Sequence, residues 1–282
     1  MPAEQIASNL AFVNWTVLVS LAAGSLAAVV LLRRRTTATR GYLAFTAGCA
    51  AAFGVLAWLA DGALPGTIVG SPVLVDPSWD GLRRGAVAVL AVAAGSVAVA
   101  VARGRTLARL GPLAAAVGPV VLAAAAAGWG GSPLGSVLLF AELLLVAAAT
   151  GGVFAAMVLA HWYLVTPRLP EGPLVLLARW LVGIVGAQLG LFAVAAGLGL
   201  GAPGSPAVAA GFGVLTGPWA LFAWLRLGVG LLFSFILVWA ALQTARTRSM
   251  ESATGLLYIG VGTIAAGTIL AAGCYFGGGL IL

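Results

Sequence analysis

This chain of 282 residues contains no lysine, one histidine, two cysteines and seven carboxylates. Charged residues make up 7% of it, against about 25% in a soluble globular domain. With 62% hydrophobic residues it has too little polar surface to cover itself, so lipid must be the solvent for most of the chain. A single histidine, His161, excludes a self-contained b-type haem held by two histidines. Met157 stands one turn away on the same helix and cannot take the opposite axial face. Cys49 and Cys274 form no C-x-x-C motif. They are expected in opposite halves of the membrane, too far apart for a disulfide. Nucleotide-binding and metalloprotease motifs are missing, so neither a metal site nor a resident cofactor is expected. The first nine residues carry Glu4 and no basic stretch, which argues against a cleaved signal peptide.

The cationic groups are fourteen arginines, in short clusters between apolar runs. That pattern follows the loop-charge rule of membrane proteins rather than the continuous basic face of a nucleic-acid binder, so no nucleic-acid partner is expected. A spanning helix needs roughly 20 apolar residues. Eight such windows fit, at about 10–32, 42–60, 85–102, 110–127, 134–164, 173–200, 218–245 and 252–282, with an outer loop at 61–84. The expected fold is all-α, a single polytopic transmembrane domain without a sizeable soluble part. With the N-terminus outside, eleven arginines fall on the inner side: Arg33, Arg34, Arg35, Arg40, Arg103, Arg105, Arg109, Arg168, Arg179, Arg246 and Arg248. Only Arg83, Arg84 and Arg226 fall at or near the outer side, so both chain ends are expected outside. The excess of arginine and alanine reads as GC-rich coding, and a bacterial cytoplasmic (inner) membrane is the expected location.

Glycine is plentiful, with 40 residues. Small residues inside membrane helices allow close helix approach. Gly186/Gly190 and Gly273/Gly277 form G-x-x-x-G pairs, and Gly151, Gly152, Ala155 and Ala156 form a similar small face. The expected use is packing within the chain.

Ionisable groups at membrane depth are costly, roughly 2.5–3.5 kcal/mol at the bilayer centre on insertion scales, and so draw attention first. Glu142 and Arg226 each lie about eight residues inside helices entering from the outer side, which sets them at similar depth as a candidate membrane-embedded charge pair. If the seventh span starts later they are interfacial instead, beside Trp219 and Trp224 as an aromatic belt. Gln188 is the lone strongly polar side chain near mid-membrane and is expected to make an interhelical hydrogen bond. At the inner level, His161 and Arg179 stand nine residues either side of Pro170 in a helical hairpin. Together with Trp162, Tyr163 and Trp180 they make a candidate polar-aromatic cluster suited to a quinone headgroup. The imidazole or guanidinium would donate to a quinone carbonyl, and the aromatic rings would cover the ring plane. An aromatic belt that happens to include a histidine is the competing reading.

Three functional classes remain open. The first is a non-catalytic accessory or quinone-interacting subunit of a membrane electron-transfer complex, docked against other membrane subunits, with loop 61–84 as the candidate contact for an extracytoplasmic partner. The second is a small transporter or permease centred on Glu142 and Arg226. The third is a structural scaffold subunit. Lipid is the one partner common to all three.

Overall fold

The structure is a computed structural model that describes residues 1–107, 109–166 and 168–282. Pro167, part of the expected α-hairpin turn, lies outside the described residues. Among the described residues, eight helices are long and apolar enough to cross a bilayer, and the protein is a multi-pass, all-α membrane protein. After a short helix α1 (Pro2–Ser8), the elements are α2 (Leu10–Arg35), α3 (Arg40–Asp61), α4 (Asp80–Ala102), α5 (Leu110–Trp129), α6 (Pro133–Val165) and α7 (Gly172–Leu198). The seventh span then runs through α8 (Ala220–Leu225), a π-helical segment (Arg226–Phe233) and α9 (Ser234–Arg246), and α10 (Met250–Gly278) is the eighth.

The helix ends follow from local chemistry. Three arginines close α2, where cations meet the negative end of the helix dipole. Ser132 caps α6 by accepting from the Gly135 backbone N–H at 3.0 Å, with Pro133 in the first turn. Gly279, at φ 70°, ends α10 in the left-handed conformation.

α6 is the central helix and packs against α2, α5, α7 and α10. Its closest crossing is with α2. A Cβ added to Gly24 would lie 2.9 Å from the Gly151 Cα and closer still to the Ala147 carbonyl oxygen. Buried polar side chains tie neighbouring helices to this pair. Tyr42 of α3 donates to the Ala155 carbonyl at 2.9 Å, and the hydroxyls of Thr150 on α6 and Thr268 on α10 meet at 2.6 Å.

Several boundaries differ from the sequence reading. Asp61 ends α3 and Asp80 opens α4, so the long connection shrinks to 62–79 and carries the 3-10 turn Pro77–Trp79. The connection packs down on its own chain. Ile68 and Val73 are buried, and Asn9 exchanges hydrogen bonds with the Val69 backbone in both directions. α10 stops at Gly278 rather than 282, and residues 279–282 turn back into the bundle, with Leu280 bridged to Gly201. Of the two G-x-x-x-G pairs, Gly190 faces open space and Gly186 meets only the Phe235 ring. Gly273 and Gly277 receive Ile6 of α1, and Gly277 and Gly278 lie against the Trp219 ring, so this pair seats side chains rather than a helix.

Candidate functional site

Glu142, Gln188 and Arg226 converge at the end of the bundle opposite the main arginine clusters. At 1.5 Å per residue, Glu142 sits about 14 Å along α6 from its Pro133 start. Both charged residues are buried within the bundle, at 3% exposure for Glu142 and 2% for Arg226. The seventh span begins at Ala220, so Arg226 lies inside it. The π-helical segment starts at Arg226 itself; such distortions concentrate at functional positions. Here it accompanies a very close crossing, with the Gly267 Cα 2.7 Å from where a Gly230 Cβ would stand.

The two charges are not in direct contact. Arg226 Nη2 donates to Gln188 Oε1 at 2.8 Å, and Gln188 Nε2 donates in turn to the Leu145 carbonyl at 3.0 Å, which fixes the guanidinium to α6. Arg226 Nε donates to the Leu282 main-chain oxygen at 3.1 Å, and the Leu282 N–H donates to Glu142 Oε1 at 3.2 Å. One backbone residue thus stands between carboxylate and guanidinium. Glu142 Oε2 is buried without a hydrogen-bond partner, an arrangement that normally costs about 1–3 kcal/mol or more for a charged group. A cavity of about 10 Å³ lies beside it, lined by Thr16, Val146, Tyr275 and Phe276 among others; that is about the room one water requires. A small apolar cluster that includes Phe192, Val214, Trp219, Leu231, Cys274, Leu280 and Leu282 packs together beside Leu282.

A second buried charge group, not singled out from sequence, lies at the same end of the bundle. Arg83 Nε donates to Asp61 Oδ2 at 2.8 Å and Arg83 Nη1 to Asp80 Oδ1 at 2.7 Å. Arg83 and Asp61 are 3% and 5% exposed. The guanidinium carbon lies 4.9 Å from the Trp129 ring centroid and 6.0 Å from that of Trp15, within cation–π range. The arginine is fully engaged, so this group reads as a structural clamp joining α3, α4 and α5.

The inner cluster does not converge. His161 is exposed, and its Nδ1 lies 3.2 Å from the Tyr258 hydroxyl of α10. Trp162 turns the other way, edge-on to Tyr42 at 6.5 Å. Tyr163 is buried and donates to the Pro170 carbonyl within the hairpin turn. Trp180 lies against Gly152, and Arg179 is exposed on α7. The structure therefore brings the five candidates neither to one face nor to one level: His161, Trp162 and Tyr163 stand near the end of α6, whereas Trp180 packs beside Gly152 about ten residues earlier on that helix, and Tyr258 is the neighbour of His161. Among the described residues, no three His, Cys, Asp or Glu side chains gather into a metal-holding group. Comparison with family models, curated proteins and solved structures finds no match for the chain.

Proposed function

We propose that this protein is a small permease of a bacterial cytoplasmic membrane, and that Glu142, Gln188 and Arg226 bind the polar solute it carries. One observation carries the reading: a carboxylate and a guanidinium are buried inside the bundle and held apart at a π-helical break in the seventh span, with one carboxylate oxygen lacking a hydrogen-bond partner. An intramembrane ionisable residue is a functional-site hypothesis by default, and interrupted helices are where transporter sites form. A charge pair serving stability alone would be expected to close into direct contact, as Asp61 and Arg83 do.

The test is uptake of labelled polar solutes into proteoliposomes holding the purified protein. Wild type is expected to accumulate at least one of a panel of amino acids, sugars and small organic ions, and folded Glu142→Gln to lose that uptake. No uptake across the panel, or uptake untouched by Glu142→Gln, overturns the reading.

The arginine count implies that the end bearing Arg33, Arg40, Arg103, Arg168 and Arg246 faces the cytoplasm. Thr37 lies exposed in the turn between α2 and α3. In a background with Cys49 and Cys274 replaced by alanine, Thr37→Cys is expected to resist a membrane-impermeant maleimide in intact cells and react after permeabilisation. Labelling in intact cells inverts the topology.

A second reading, a quinone-interacting subunit docked against other membrane subunits, draws on the exposed His161–Tyr258 pair, which offers a lipid-borne carbonyl compound a hydrogen-bonding edge at the inner interface. On this reading His161→Ala lowers the quinone retained on gentle purification together with partner proteins. Purification as a lone chain or homo-oligomer carrying only lipid removes it.

A further inference from the structure

The end of the bundle that carries the Asp61–Arg83–Asp80 clamp holds a second arginine. Both nearby carboxylates pair with Arg83, so among the described residues Arg84 has no carboxylate partner. Its position is nevertheless fixed. The guanidinium carbon lies 5.0 Å from the Trp58 ring centroid, and a Cβ added to Gly62 would stand 2.8 Å from Arg84 Nη2, so the group rests on the end of α3. Asp80 gives one oxygen, Oδ1, to Arg83, and its side chain is 43% exposed. Arg84 and Asp80 line one cavity of about 230 Å³, together with Asp61, Arg83 and Trp129. With two carboxylates and two guanidiniums, this cavity is neutral overall. Gly81 lines it too, and Gly81 also begins an apolar groove of about 470 Å³ along the seam of α4 and α5. Gly85 and Val89 continue the groove on α4, and Leu113, Val117 and Val120 form its other wall on α5. On each helix these residues recur at the spacing of a single face. Nothing lies within 4 Å of where a Cβ at Gly81 or Gly85 would stand, and Val89 and Leu113 are exposed, so the groove lies open on the outside of the bundle. From Gly81 to Val89 it covers about 12 Å of helix, close to the roughly 15 Å of hydrocarbon in one leaflet.

We propose that the cavity and the groove together seat one molecule of phosphatidylethanolamine, with its phosphate on Arg84, its ammonium at Asp80 and one acyl chain along the α4/α5 seam. Continuity and charge select this occupant. The shared residue Gly81 joins a polar cavity to an apolar groove, which is the shape of an amphiphile rather than of a free solute. A guanidinium without a carboxylate partner matches phosphate oxygens through paired donors. The remaining edge of Asp80 can accept from an ammonium, which offers three donors. A neutral cavity carrying both signs suits a zwitterionic head group. Phosphatidylglycerol would bring the phosphate and leave Asp80 without a cation. Phosphatidylcholine would bring a cation that has no N–H to donate. The site is separate from Glu142, Gln188 and Arg226, and it stands whether or not the chain is a permease.

The test is native mass spectrometry of the full chain, delipidated in detergent and titrated with palmitoyl-oleoyl lipids bearing each of the three head groups. Wild type is expected to bind one phosphatidylethanolamine about tenfold more tightly than either of the others, the scale of one charge-assisted hydrogen bond. Arg84→Gln is expected to lose about tenfold in affinity for phosphatidylethanolamine on the same ground, and Asp80→Asn to bind it no better than phosphatidylcholine. Gly85→Phe fills the groove without meeting the protein's own atoms, and is expected to keep the wild-type unfolding temperature while binding none of the three. Equal wild-type affinity for the three head groups overturns the proposal, as does unchanged phosphatidylethanolamine binding by Arg84→Gln. Should Arg84→Gln not fold, Gly85→Phe decides alone, and wild-type affinity in that variant overturns the proposal. Glycerophosphoethanolamine carries the same head group without acyl chains. Its competing as well as the intact lipid would show that the groove contributes nothing, and would overturn the lipid as occupant.

Discussion

Gly151→Leu is expected to leave no monodisperse folded protein after detergent extraction. A Cβ at Gly151 would stand 2.5 Å from the Gly24 Cα and closer still to the Ser25 backbone nitrogen. These are backbone atoms of α2, so no side-chain rotation relieves the clash and the helices must part. Overpacking a core costs about 1–3 kcal/mol when side chains can yield; here the central crossing of the bundle is lost, along with the hydrogen bond from the Ser25 hydroxyl to the Gly151 carbonyl at 3.3 Å. Gly190→Leu is the matched control. Nothing lies within 4 Å of a Cβ at Gly190, and the change should stay within about 0.5 kcal/mol of wild type. Size-exclusion profiles decide it, and equal behaviour of the two variants contradicts the packing described for α2 and α6.

Asp61→Ala carries the second large effect. Removing one partner of a buried ion pair leaves the other charge uncompensated, at about 3–5 kcal/mol. Arg83 keeps Asp80 and the Trp129 face, so the lower end of that range is expected. Asp80 is far more exposed than Asp61, at 43% against 2% for the side chain, and Asp80→Ala should cost about 0–1 kcal/mol. The double variant Asp61→Leu/Arg83→Leu is expected to recover much of the loss, since well-packed apolar residues often replace a buried pair without penalty. Thermal unfolding in detergent orders these variants. An Asp61→Ala loss no larger than that of Asp80→Ala contradicts the clamp.

The eight spans were legible because apolar windows separated by arginine clusters and Gly/Pro turns leave little choice. The misplaced boundaries have a shared cause. Hydropathy excludes Asp61 and Arg83 from helices as charged residues, yet they neutralise each other between α3 and α4 and shelter under Trp129. Residues 279–282 read as more apolar helix, and only the left-handed Gly279 turns them inward. At the polar centre, counting residues from the helix starts brought Glu142 and Arg226 to one level. Their link through Leu282 is made by backbone atoms, which no side-chain pattern reports. At the inner end, equal spacing about Pro170 does not set His161 and Arg179 at one height, because α6 ends at Val165 and α7 begins at Gly172, and Trp180 comes to lie beside Gly152. Spacing alone also ignores helix phase: neighbouring residues point about 100° apart, so His161, Trp162 and Tyr163 face three directions.

The measurement that tests the central claim most directly is the unfolding temperature of the purified protein across a panel of polar solutes, for wild type and Arg226→Gln side by side. A ligand at 100 times its Kd stabilises the folded state by about 2.7 kcal/mol. If Glu142, Gln188 and Arg226 form a binding site, one solute class raises the wild-type transition in a concentration-dependent way and leaves Arg226→Gln unmoved. A solute that shifts both proteins equally, or a panel that shifts neither, contradicts the assignment of this centre as a solute site.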